Sequence, residues 1–144
     1  MKKIITLLFV CCCLILQAKP IKTNKTVEVK SMTVKIENAK IFDNAFFIYG
    51  TIKQQNKFSY SVSFEDCRLI TEDNPKGTPG KLIKWNDQKV TTDIKQISDK
   101  KADKFIIAFP IESIPENGSF DIKLGVIQDK NKTDIIVPNL YKKK

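Results

Sequence analysis

The chain of 144 residues contains no histidine, one arginine (Arg68) and one tryptophan (Trp85). There is no imidazole to take and return a proton near neutral pH, which excludes Ser-His-Asp and Cys-His nucleophilic sites as they are ordinarily built. The commonest metal ligand is lost with it. Cysteine narrows the chemistry further, because Cys11, Cys12 and Cys13 crowd the start of the chain and only Cys67 follows. Zinc and copper sites of ordinary type cannot be assembled from that set, so no metal and no cofactor are expected. The lone arginine leaves almost no bidentate phosphate forks. Basic residues are not interleaved with exposed aromatics in a recognisable nucleic-acid module, so no specific nucleic-acid binding is expected.

Long hydrophobic runs are also scarce. The one present spans residues 4–16, broken only by Thr6, after Lys2-Lys3 and before Gln17-Ala18. A membrane span needs about 20 apolar residues, and this run falls short. A charged start, an apolar stretch and a small residue at its end form the pattern of a cleavable signal peptide. Residues 1–18 are therefore expected to be a signal helix cut after Ala18. Cys11, Cys12 and Cys13 sit inside the run rather than at its end, so they act as small apolar residues and not as a lipid-attachment site. The product is expected to be secreted or periplasmic, with no membrane span once the leader is removed.

The remainder suits one domain of ordinary size, with enough chain for a core without cross-links. Cys67 is either a buried small hydrophobe or an exposed thiol; its place after a strongly patterned strand favours burial. Formal charge is +9, or +7 once residues 1–18 with Lys2 and Lys3 are set aside. Such an excess attracts anionic partners or serves a solvated surface.

Residues 19–25 read as a disordered leader. From Thr26 the pattern turns β. Val27 and Val29 share a face, and Met32, Val34 and Ile36 share one in the opposite phase. The slip near Lys30-Ser31 predicts two short strands or a bulge. A strand over residues 44–54 is apolar on both faces at its start and is predicted to be central. Phe58, Tyr60, Val62 and Phe64 alternate with Ser59, Ser61, Ser63 and Glu65. The short polar link before them predicts an antiparallel hairpin with the preceding strand. Pro75, Gly77, Pro79 and Gly80 make residues 71–81 a loop, followed by a short strand from Leu82 to Trp85. Residues 86–104 are ambiguous, with an edge strand the preferred assignment. Phe105, Ile107 and Phe109 mark a strong strand ended by Pro110, with a turn at Pro115-Glu116-Asn117-Gly118. Phe120, Ile122, Leu124 and Val126 mark another strand, then a tight turn from Asp129 and a last strand ended by Pro138. The sandwich domain is thus residues 26–138, followed by a frayed basic tail at 139–144.

About seven or eight short strands at regular spacing, with no convincing helix after the leader, predict an all-β, two-sheet antiparallel sandwich; a small barrel is the alternative. The strand pattern from Val29 to Val137 resembles the immunoglobulin-like β-sandwiches of secreted bacterial proteins of uncharacterised function. The Cys–Trp–Cys signature of antibody domains is missing.

Candidate chemistry is sparse. Glu65-Asp66 and Glu72-Asp73 supply carboxylates that glycoside hydrolysis needs as a facing pair, but neighbours on a strand point to opposite faces. Asp129, Asn131 and Asp134 lack the further acid and the glycine of a calcium loop. Trp85, beside Tyr49 or another ring, offers a binding platform, or else packs as a core residue at a sheet end. Lys76, Lys81 and Lys84 flank the loop. The sequence therefore predicts a monomeric, non-catalytic binding module that meets an envelope protein or an anionic cell-surface polymer through these residues. The alternatives are a carboxylate-dependent glycan hydrolase without histidine, or a structural envelope or adhesion module.

Overall fold

The slip in apolar phase at Lys30-Ser31 is a hairpin turn. In the computed structural model, which describes residues 20–110, 112, 119–138 and 140, β1 (Pro20–Val29) runs antiparallel to β2 (Met32–Phe42), with Val29 opposite Met32. Lys30 takes a positive φ of 53° in the two-residue link. β1 thus already covers residues 20–25, the stretch read as a leader. Its polar side chains hid a strand whose structure comes from backbone pairing, with a bulge between Lys22 and Lys25. Residues 1–18 and the expected cut at Ala18 lie outside the described residues.

Two-residue turns recur where both central residues accept a left-handed backbone. Asp43-Asn44 joins β2 to β3 (Ala45–Gln54), Asn86-Asp87 joins β6 (Lys81–Trp85) to β7 (Gln88–Lys89), and Asp129-Lys130 joins β10 (Asp121–Gln128) to β11 (Asn131–Val137). Such turns match the right-handed twist of strands, and Asn and Asp tolerate the positive φ they require. The other strands are β4 (Tyr60–Ile70), β5 (Thr78–Pro79), β8 (Ile94–Gln96) and β9 (Asp103–Pro110).

All pairings are antiparallel, in two sheets. One has the order β1-β2-β3-β9-β6-β7; the other runs β11-β10-β4-β5, with β8 also on β4. The expected hairpin between β3 and β4 does not form. Both edges of β3 are occupied, by β2 and β9, so residues 55–59 carry the chain across to the opposite sheet. The amide of Phe58 donates to Asn56 Oδ1 in that crossing. β4 begins only at Tyr60, which leaves Phe58 59% exposed rather than in the core position its alternation suggested. The ambiguous stretch after Trp85 forms β7 and β8, two and three residues long.

Between the sheets lies one core. Phe46 and Phe120 meet edge-to-face at 5.2 Å, and Phe64 touches both Phe105 at 5.7 Å and Trp85 at 5.8 Å. Gly50 must lack a side chain: a Cβ there would lie 2.5 Å from the Phe105 ring and 2.8 Å from the Lys35 carbonyl oxygen. Leu140, expected in a frayed tail, is instead buried, and its amide donates to the Phe120 carbonyl at 2.9 Å. Burial of the leucine contributes about 1.5–3 kcal/mol toward holding it.

Candidate functional site

Strand alternation sorts the singled-out residues onto different surfaces. In the six-stranded sheet Phe46, Ile48, Ile52, Phe105 and Ile107 point into the core, so Phe47, Tyr49, Ile106 and Ala108 point out. The register places Asn38, Tyr49, Ile106, Lys84 and Lys89 in one row across the sheet, and Lys40, Phe47, Ala108 and Lys81 in the next. Tyr49 and Lys84 are two strands apart, roughly 10 Å. Lys40 Nζ lies 5.2 Å from the centre of the Tyr49 ring, a cation–π contact.

This face is basic beyond the residues named from sequence. Lys35, Lys53, Lys89 and Lys104 share it with Lys40, Lys81 and Lys84 by register. Lys35 meets Glu37 at 3.7 Å and Lys104 meets Asp87 at 3.8 Å. Lys53, Lys81, Lys84 and Lys89 have no ion-pair partner among the described residues. Lys84 stands directly opposite Lys89, and like charges so placed are destabilising. Core-directed alternation does not report these lysines, because they occupy the outward positions of their strands. Their signal is the coincidence of lysines at outward positions of β2, β3, β6, β7 and β9.

Trp85 is not part of it. Trp85 pairs with Phe105, whose ring is buried, so it points inward while Tyr49 points outward. The two cannot form one platform. Trp85 is half-buried, packs edge-to-face on Phe64 and lines a cleft of about 390 Å³ at the end of the sandwich. Gln54, Lys57, Phe58, Ser59, Asn86 and Asp103 are among the other lining residues. Asp103 is buried and fully engaged there: its carboxylate accepts from Asn86 Nδ2 at 2.8 Å and from the Ser98 amide at 2.6 Å. Asn86 Oδ1 in turn accepts from the Lys104 amide at 2.9 Å, which ties the β6–β7 turn to β9. Lys76 is exposed on the connection from β4 to β5, in the opposite sheet, apart from Lys81 and Lys84.

The carboxylates do not converge. Residues 64–67 of β4 lie opposite Leu124 alone, a bulge that overrides simple alternation at Glu65-Asp66. Asp66 is bonded by Lys132, and that hydrogen bond, reinforced by the charges of Lys132, Lys123 and Arg68, holds its pKa below the usual carboxylate value. Glu72 and Asp73 are exposed beyond the end of β4. Glu65 lies within β4 and Glu72 in the turn beyond its end, whereas glycoside hydrolysis needs a facing carboxylate pair. Asp134 is engaged by Lys123 at 3.4 Å, and no group of three or more His, Cys, Asp or Glu among the described residues could hold a metal. Cys67 is fully buried and burial pushes its thiol pKa far up, so it stays protonated. No helix among the described residues is long and apolar enough to cross a membrane. The chain matches no protein-family model and no curated protein sequence.

Proposed function

We propose that this chain is an exported, monomeric, non-catalytic binding module of immunoglobulin-like topology that engages an anionic polymer of the cell envelope through the outer face of its six-stranded sheet. Strand order supports the topology. The run β2-β3-β9-β6 corresponds to strands A, B, E and D of a constant-type immunoglobulin sheet, and β11-β10-β4 to G, F and C. The observation that carries the function is the cross-strand pair Lys84–Lys89. Two like charges at directly opposite positions cost stability, although on an edge strand they also discourage pairing with another chain. An anion spanning them offsets that cost.

The half-buried centre of Phe47, Tyr49 and Ile106 supports a second reading, in which the partner is an acidic envelope protein anchored on those side chains. Catalysis by paired carboxylates has no comparable support, since Glu65 lies in β4 and Glu72 in the turn beyond it. The test is binding of the chain lacking residues 1–18 to lipoteichoic acid and to lipopolysaccharide across a salt series. Binding that weakens with salt and is lost in the double variant Lys81→Glu/Lys84→Glu is the expected result. Equal binding by that variant would overturn the assignment.

A further inference from the structure

The cleft at the end of the sandwich holds a buried group with an unmet requirement. Gln54, the last residue of β3, is only 4% exposed, and its Oε1 has no hydrogen-bond partner. Buried acceptors are nearly always paired, and one left alone costs about 1–3 kcal/mol. Around it stand Trp85 and the exposed ring of Phe58, with Ser59, Asn86, Gln96 and Ser98 offering polar edges. From this arrangement we infer that the cleft is a binding site for a neutral, hydroxyl-rich ligand, a sugar ring, whose C–H face lies against Trp85 or Phe58. Gln54 Oε1 has essentially no solvent-accessible surface as it stands, so the ligand's hydroxyl takes it as acceptor once that side chain turns toward it.

Charge selects neutrality. Lys57, Asp99 and Asp103 all line the cleft. An anion would meet two carboxylates, and a cation would meet Lys57 in a strongly basic chain. The Asp103 carboxylate is already engaged by Asn86 and Ser98, so Asp99 alone remains to hold a cation. Shape agrees: about 390 Å³ falls within the range of small-molecule sites and suits one or two sugar rings. The partial positive charge of C–H groups is attracted to the negative face of an aromatic ring, which supplies the apolar half of the recognition. This site is distinct from the lysine face, since Trp85 points to the opposite side of the sheet.

Trp85 is the only tryptophan in the chain, so its emission reports on the cleft directly. Titration with glucose, galactose and N-acetylglucosamine should give a saturable change with at least one of them, unaltered between low and high salt. Gln54→Leu should weaken that binding at least tenfold while leaving the thermal midpoint unchanged or raised, because it removes an unpaired buried acceptor. If Gln54→Leu fails to fold, Gln54→Met replaces it, followed by NMR. A response to choline or phosphate instead of the sugars would overturn the inference, as would no saturation by any sugar. Equal sugar affinity in the Gln54 variant would do the same. Failure of the lysine-face assignment would show separately, as salt-insensitive or absent polymer binding with sugar binding intact.

Discussion

The outer surface of the six-stranded sheet carries Lys81, Lys84 and Lys89 without a carboxylate partner among the described residues, whereas on the five-stranded sheet Lys123 and Lys132 are held by Asp134 and Asp66. Both surfaces back onto the same core and both are rich in lysine. On one, Lys123 is answered by Asp134 of the neighbouring strand and Lys132 by Asp66 two strands away. On the other, Lys84 faces Lys89 and the aromatic pair Phe47–Tyr49 fills the centre. Net charge alone would treat the two alike; pairing separates them, because only unanswered charge is free to attract a partner.

A core variant should affect both surfaces equally. Phe64→Ala removes the ring that joins Phe105 to Trp85, and denaturant unfolding should show a loss of about 3–5 kcal/mol. Gly50→Ala drives a methyl group into the Phe105 ring and the Lys35 carbonyl. A loss of about 1–3 kcal/mol is expected from the same measurement; unchanged stability would mean that β3 is looser than its packing implies.

Surface variants should split the pair. Lys89→Glu places an opposite charge across from Lys84, so stability should rise by about 0.2–1 kcal/mol while affinity for an anionic polymer falls. If both rise together, the lysine face has no role in binding. On the other sheet, Asp66→Asn should cost less than about 1 kcal/mol, as exposed pairs do, and leave polymer binding untouched. Because its native pKa is depressed, Asp66 stabilises the fold above the ordinary carboxylate value of 3.8, and that contribution disappears as pH falls through the lower native value. The stability gap between the native chain and Asp66→Asn should therefore close on acidification. A gap that persists at the lowest pH would assign the effect to packing.

Much of this architecture was legible in the sequence. Strict alternation located β9 and β10 and most of β4, and a strand apolar on both faces identified β3 as central. Burial of Cys67 followed from its place in β4. Alternation reports which side of a strand is buried, but it is silent on which sheet the strand joins. The crossing from β3 to β4 therefore looked like a hairpin, and Phe58 looked like core. The second half of β1 was read from Val27 and Val29, but residues 20–25 were missed because their pairing to β2 is made by backbone groups. Leu140 was missed because one buried residue has no period. Of the candidate site, Tyr49, Lys81 and Lys84 were found and do share a face. Trp85 was found but faces inward, and Lys76 sits with the other sheet. Gln54 carried no sequence signal, since an unpaired acceptor becomes visible only when its surroundings are known.

The hairpin of β1 and β2 is open at the end where Pro20 pairs with Lys40 and closed at Lys30-Ser31. Tension applied to the chain ahead of Pro20 would load those ladder bonds one after another instead of all at once. Separation from that end would proceed pair by pair until it met Val27 and Val29, which pack against the core and anchor the border strand.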